Sequence, residues 1–436
     1  MKVKPLFVLL LLAILFQSNN SVAQSFVKRQ GHQFVLNGKP YYYIGTNYWY
    51  GGLLGLEKDK KRGIDRLRKE LDFLKSKGVA NLRLVAGAEG QGLVAGVERI
   101  GPALQTDKGV FNEQVLDGLD IFLAELTKRD MKAIVFLSNN WEWSGGFLQY
   151  LRWNNQIPDS VFRNKMEWET MRDEIMKFYA CSPCKEDYLK QVDFILNRTN
   201  KISKKKYSDE PAIMAWELAN EPRPMRPAAN ELYKQWISDV SNHIKSKDKN
   251  HLVTIGHEGD ISLESDLSYF EELHAYPSVD YLTIHIWPKN WAWMRPDSMK
   301  ADFQQAINKT TDYINKHISA AQKLNKPLVI EEFGLPRDQY SFDPKSTTTL
   351  RDQYYKTIFS VWAQSKNTNG VVAGANFWAF GGVARPKQGQ VFWKVGDDYM
   401  GDPPMEEQGL YTVFDSDKTT WQIIQKYSQM KKDNKK

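Results

Sequence analysis

The chain has 436 residues, a quarter of them charged, and a formal net charge of +7. Its acidic and basic residues are interspersed; the dense basic runs, 204–206 and 431–436, read as a solvated loop and a frayed end, which argues against a nucleic-acid or anionic partner. With two cysteines, no His-Glu-x-x-His, no phosphate loop and no Gly-x-Ser-x-Gly, structural zinc, nucleotide and serine-hydrolase chemistry all start low.

The N terminus reads as an export signal. Lys2 and Lys4 supply positive charge, Leu6 to Phe16 an apolar core too short to span a bilayer, and Ser21-Val22-Ala23 a small-x-small cleavage site. The mature chain is expected to begin near Gln24 and to keep no membrane contact. No later apolar span, linker or repeat interrupts it, so 24–436 is expected to form a single domain.

Phe26 to Leu36 and Lys39 to Tyr43 flank Asn37-Gly38, a hairpin signal, and the second arm runs on into a first strand through Ile44-Gly45-Thr46-Asn47. Leu67, Leu71 and Leu74 form one helical face, stopped at Gly78 before a strand from Ala80 to Val85. Leu116, Leu119, Leu123 and Leu126 form the next, stopped at Arg129-Asp130 before Lys132 to Leu137. Cys181-Ser182-Pro183-Cys184 in an exported chain is expected to close a small disulfide loop rather than bind metal. Helices at 186–200, 230–247, 301–324 and 348–366 are expected before strands at 211–218, 251–256, 326–331 and 371–378. A shorter helix near 266–274 precedes Tyr281 to His285, and a last one lies near 417–430.

Eight strands alternating with eight helices predict an α/β fold, a (β/α)8 TIM barrel with an N-terminal β-hairpin. A doubly wound open sheet would not by itself explain polar or aromatic residues at the end of nearly every strand. Extra residues at 139–185, 286–300 and 379–412 follow strands three, six and eight, where long loops would wall a cleft on the catalytic face.

Two strands stand out. Ile213-Met214-Ala215-Trp216 is an apolar run, as expected of a strand buried on both faces, and the pairing stops at Asn220-Glu221-Pro222. Lys326 to Gly334 is a second such strand, ending in Glu331 and Glu332. With Arg83, Asn139, His257, Glu258, His285 and Trp378 at other strand ends, two opposed glutamates supply what glycoside cleavage needs: an acid for the leaving oxygen and a carboxylate to attack the anomeric carbon. Trp49, Trp141, Trp143, Trp287, Trp291, Trp293, Trp378 and Trp393 follow strands one, three, six and eight, and tryptophan faces can stack on sugar rings. Trp153, Trp168 and Trp393 read as packing for long loops, whereas Trp378 is placed to floor a sugar site.

Asn220-Glu221-Pro222 and Glu332-Phe333-Gly334 resemble glycoside hydrolase family five, in the clan of retaining barrels, over about Tyr43 to Trp378. Arg83, His285 and Trp378 match the family's other active-site positions. The stretches 219–223, 141–146 and 285–291 are similar to the β-mannanase branch. The resemblance implies Glu221 as acid/base and Glu332 as nucleophile. It has Asn220 holding the 2-hydroxyl or the nucleophile, Arg83 and His285 orienting the carboxylates, and Arg223 touching sugar on the aglycone side. Glu258, Trp287, Trp378 and Trp141 are expected to contact substrate. Strand alternation would turn Glu331 to the face opposite Glu332. The charge of Glu332 and partial burial would raise the pKa of Glu221. Two departures are visible: Trp287 stands where most relatives carry a tyrosine, and Val85-Ala86-Gly87 follows Arg83 where many endo-acting members have an aromatic. The implied activity is retaining hydrolysis of β-1,4-mannosidic bonds by a monomer that needs no cofactor or metal, acting on β-mannan or manno-oligosaccharides as an endo-1,4-β-mannanase. An exo-β-mannosidase of the same fold, a β-1,4-glucanase and a non-catalytic sugar-binding barrel are the alternatives.

Overall fold

The computed structural model describes residues 25–431, so the expected export signal lies outside the described residues. Eight short parallel strands form the centre: β1 (Tyr43–Asn47), β2 (Asn81–Val85), β3 (Lys132–Phe136), β4 (Ile213–Glu217), β5 (Leu252–Thr254), β6 (Leu282–Ile286), β7 (Leu328–Phe333) and β8 (Val372–Phe377). Every residue in them is buried, because one face fills the barrel and the other meets helices. The helices that follow in turn are α1 (Lys60–Ser76), α2 (Glu113–Arg129), α3 (Ser182–Leu196), α4 (Asn230–Lys247), α5 (Leu267–Ala275), α6 (Met299–Leu324), α7 (Thr349–Thr368) and α8 (Lys418–Ser428). This is the expected (β/α)8 barrel.

Local chemistry sets the boundaries. Asp59, Asn112 and Asp266 cap α1, α2 and α5 by accepting from backbone N–H groups of the first turn. Asp130, Asn325 and Asn369 end α2, α6 and α7 in the left-handed conformation, so short polar side chains do here what glycine commonly does. The helix expected at 186–200 begins four residues earlier, at Ser182, because Pro183 suits a first turn and Cys181 Sγ accepts from Cys184 N. Cys181 and Cys184 are joined by a disulfide.

The N-terminal segment differs from a simple hairpin. Asn37 and Gly38 do turn the chain with positive φ, as a tight two-residue turn requires. The first arm, however, folds again at Gly31-His32, giving a three-stranded antiparallel sheet of Lys28–Gln30, Gln33–Leu36 and Lys39–Pro40. Val27 and Phe34 from this sheet plug the N-terminal end of the barrel against Met214, Leu252, Tyr281 and Val329.

The ladder runs β5-β4-β3-β2-β1-β8-β7-β6, leaving β5 and β6 unpaired as strands. Two backbone bonds, Asp280 N to Val253 O and His285 N to Glu258 O, cross that gap, and side chains complete it. The Asp280 carboxylate accepts from Val253 N at 2.7 Å, Thr254 Oγ1 donates to Tyr281 O at 3.0 Å, and Thr283 Oγ1 both accepts from His257 N and donates to His257 O. The longest excursion follows β3 and folds into four short helices, Gly146–Trp153, Asp159–Arg163, Trp168–Ile175 and Lys177–Ala180.

Candidate active site

The C-terminal end of β4 turns sharply. Asn220 N donates to Ser138 O and Glu221 N to Gly256 O, which anchors the turn between the neighbouring strands. Gly256 is required there: a Cβ would lie 2.2 Å from both Ala219 O and a Glu217 carboxylate oxygen. Glu221 itself has φ +50°, a left-handed conformation that costs a glutamate about 1 kcal/mol. The turn aims its carboxylate into the barrel mouth.

On β7 the register slips. Ile284 pairs with Ile330, but His285 pairs with Glu332, so Glu331 is the extra residue of a β-bulge, and Asn47 Nδ2 donates to its carbonyl at 2.9 Å. The bulge corrects the expectation that alternation separates the two glutamates. Both turn inward to the same partners: Glu331 lies 3.4 Å from His285 Nε2 and 3.6 Å from Arg83 Nε, while Glu332 lies 3.2 Å from His285 Nδ1 and accepts from Arg83 Nη1. Only Glu332 reaches the cavity; Glu331 is fully buried beneath it.

Arg83 is the hub. Its guanidinium is fully buried, donates twice to Glu217 at 2.5 and 2.8 Å, and donates to Asn47 Oδ1, Asn220 Oδ1 and Glu332. Burial opposes its charge, but Glu217, Glu331 and Glu332 outweigh that and raise its pKa further. Burial pushes Glu217 upward, to about 8, against the pull of Arg83. Asn220 is thereby spoken for, since Nδ2 donates to Asn139 Oδ1 at 3.0 Å, and Asn139 in turn accepts from Trp141 N.

Glu221 sits in a cage of donors: Trp141 Nε1 at 2.6 Å, His285 Nδ1 at 2.6 Å and Trp287 Nε1 at 3.3 Å. Burial raises its pKa, but the bond to His285, the charges of His285 and Arg223 and the Trp141 bond prevail and bring it down to about 2. This reverses the expectation of a raised Glu221, whose reason overlooked the imidazole. Burial likewise works against a charged His285, yet Glu332, Glu221 and Glu331 hold its pKa well above the ordinary histidine value. These opposite shifts favour a charged Glu221 beside a protonated His285, whose Nδ1 is one short hydrogen bond away. Trp287, in the place where most relatives carry a tyrosine, donates its indole N–H to Glu221.

The cavity above these groups has a volume of about 400 Å³. Asn220, Glu221, Arg223, Glu258, Trp141, Trp287, Trp378 and Glu332 all line it, whereas Arg83 and His285 support it from below. Arg223 pairs with Glu258, whose carboxyl burial pushes up to about 7 against the Arg223 charge. Trp378 is 4% exposed, and its indole N–H has no partner among the described residues. His257 faces away, packed on Phe270 and His274 and kept neutral by burial. The disulfide is remote from the cavity lining.

Several groups escaped the sequence reading. Glu217 was legible in principle, as a charge inside an apolar strand run. Asn290, Met405 and Glu406 line the cavity from the β6 and β8 loops, with nothing in sequence to aim them there. Burial, then Asp402 and Glu332, push Glu406 well above the usual carboxylate range. Trp153 and Trp393 are packing residues, against Tyr150 and Tyr399, but Trp168 is not: it lines the cavity and is 44% exposed.

Among the described residues, the cluster whose donor atoms converge tightly enough for a metal ion is Glu221, His285 and Glu332 itself, all within 4.8 Å of one another.

A family model described as glycoside hydrolase family 5 β-mannosidase-like matches residues 24–436. A putative mannan endo-1,4-β-mannosidase 4 of Arabidopsis thaliana is 32% identical over 392 residues, covering 85% of this chain and 88% of the relative. The crystal structure of a family 5 mannosidase from Rhizomucor miehei superposes with a TM-score of 0.83 at 31% identity, covering 93% of this chain and 97% of that one. An endo-1,4-β-mannanase from the same organism gives 0.65 at 25% identity, covering 93% and 98%. With its barrel, its opposed glutamates and these relatives, the chain belongs to glycoside hydrolase family 5, in the β-mannosidase-like group.

Proposed function

We propose that this enzyme hydrolyses β-1,4-mannosidic bonds with retention, as a mannan endo-1,4-β-mannosidase. The observation that carries the mechanism is the placement of Glu221 and Glu332 oxygens within 4.8 Å. Retaining enzymes hold their carboxyls about 5–5.5 Å apart, and inverting ones leave room for a water at about 6.5–9.5 Å. Glu332, held by Arg83, attacks the anomeric carbon and forms a glycosyl ester as the bond to the leaving oxygen breaks. Glu221 and His285 share a proton across 2.6 Å, and the leaving oxygen takes it through Glu221. Glu221 then draws a proton from water, whose oxygen attacks the same carbon and releases Glu332. Trp378 and Trp287 offer faces to the reacting sugar, and Arg223 with Glu258 polar contacts on the leaving-group side.

The names of the sequence relatives support endo action, and the stronger structural likeness to a mannosidase supports exo cleavage as the second reading. Mannohexaose separates them. A spread of intermediate products marks endo action, and mannose alone from the outset marks exo. Glu221→Ala tests the mechanism. It is expected to form the glycosyl-enzyme from an activated aryl mannoside, to release it slowly, and to yield β-mannosyl azide when azide is added; the α-azide would mean inversion.

We also infer that residues 24–436 act as one exported, monomeric domain that needs no cofactor. The family match over that span, the Cys181–Cys184 disulfide and the Lys2–Ala23 leader support this, and no helix among the described residues is long and apolar enough to cross a membrane. N-terminal sequencing of the secreted protein is expected to start near Gln24, with the elution volume of a monomer.

A further inference from the structure

Trp168 opens the eight-residue helix Trp168–Ile175, and three polar residues of that helix, Glu169, Arg172 and Asp173, bond to neighbouring loops. Arg172 Nε donates to Met225 O at 2.7 Å, and its Nη2 lies 3.1 Å from Glu264 on the β5 loop. Arg226 reaches back from the β4 loop to Asp173 and Glu169, each at 2.7 Å. The helix is thus strapped to the loop that carries Glu221 and Arg223. Guanidinium–carboxylate pairs anchor it, and the indole at its start lies 44% exposed at the cavity wall.

Its neighbours give it a direction. The Trp168 ring lies 6.2 Å from that of Trp141 at 33°, and the Arg223 guanidinium sits over both rings, at 5.8 and 5.0 Å. Trp141 in turn donates to Glu221, the group beside the leaving oxygen. Trp168 is therefore one ring further out on the leaving-group side. A tryptophan has only two side-chain torsions to lose when a ligand covers it, and its large apolar face suits the apolar face of a pyranose.

We infer that Trp168 is a binding platform for the second sugar on the leaving-group side, a specificity-determining contact supplied by the insertion after β3. The inference takes the identity of that sugar, a β-1,4-linked mannosyl unit, from the proposed function; the position of the platform stands without it.

The test compares kcat/KM on a hexasaccharide, which reaches this position, with kcat/KM on an aryl β-glycoside of the same sugar, which does not. Both mannohexaose and cellohexaose are offered, and the pair is chosen by whichever one the wild-type enzyme cleaves. Cleavage of cellohexaose alone overturns the mannan reading and leaves the Trp168 comparison in force. In Trp168→Ala and Trp168→Gln the ratio of hexasaccharide to aryl glycoside is expected to fall about tenfold, chiefly through KM, and Trp168→Phe is expected to recover most of it. An unchanged ratio overturns the inference, whether both rates hold or both fall together as loss of a merely structural tryptophan would make them. The Gln variant keeps a helix former at this position, so the comparison survives if the Ala variant folds poorly.

Discussion

Two neighbouring residues on one strand, Glu331 and Glu332, touch the same arginine and the same histidine, and only one of them meets substrate space. Glu332→Gln is expected to abolish turnover with the fold intact by circular dichroism. Glu331→Gln is expected to lower the melting temperature and part of the rate, because it disturbs a fully buried carboxylate beside His285 and Arg83. An inactive Glu331→Gln beside an active Glu332→Gln would reverse the assignment. On the proposed mechanism, the proton shared by Glu221 and His285 is expected to set the alkaline limb of the pH–rate profile, since losing it leaves nothing to protonate the leaving oxygen. Three carboxylates raise His285, so that limb is expected above the ordinary histidine value of about 6.5. His285→Gln removes the cation that depresses Glu221, which then holds the proton alone, and the limb is expected to move to lower pH. A limb that stays in place in His285→Gln would locate the proton elsewhere.

At the scale of elements, what was legible is what regular geometry encodes. The sequence of helix faces, stops and apolar strands is enough for the barrel, because period-3.6 and period-2 patterns survive in any well-packed α/β fold. The bulge on β7 was not legible, since Glu331 and Glu332 look alike until the partner strand is known and reading by alternation assumes unbroken pairing. Trp168 was misread for a related reason: a residue in an insertion has no period, and only the Arg172 and Arg226 straps decide where it faces. The disulfide belongs to this scale as well. Cys181 and Cys184 enclose one helical turn at the start of α3, so the chain entropy it removes is small. Replacing both by serine is expected to lower unfolding free energy in denaturant by about 2 kcal/mol or less, and to leave activity intact. A collapse of the barrel on reduction would contradict that.

For the molecule as a whole, the candidate site is a set of charges that the fold keeps balanced, and acid upsets a different set. His257, His274 and His317 are buried near Phe270 and held neutral, the last two with pKa values of about 3. Unfolded, each takes up a proton below about pH 6.5. At these three sites the unfolded chain then binds more protons than the folded one, so their contribution to stability falls as pH drops from about 6.5 toward 3. Glu217 and Glu258, whose raised pKa values of about 8 and 7 keep a proton in the fold, act in the opposite sense down to the ordinary carboxylate range. Urea titrations of the wild type and of His274→Gln at pH 7 and pH 5 isolate the histidine part: the variant is expected to lose less stability, or to gain more, on going to pH 5, and an equal shift in both proteins would deny it. The same region holds the β5–β6 junction, where Asp280, Thr254 and Thr283 complete the barrel wall. With only Asp280 N to Val253 O and His285 N to Glu258 O as backbone bonds across it among the described residues, this part of the wall depends on its side chains and can be weakened by point mutation more readily than a continuous ladder. Thr283→Val takes a donor and an acceptor from His257 at once and is expected to cost about 1–3 kcal/mol. In hydrogen exchange, the β5 amides should then be released by local opening while those of β3 wait for the whole molecule to unfold. This line of mixed bonds runs up one side of the barrel and ends at Glu258 in the cavity lining, so local opening along it would reach the candidate site.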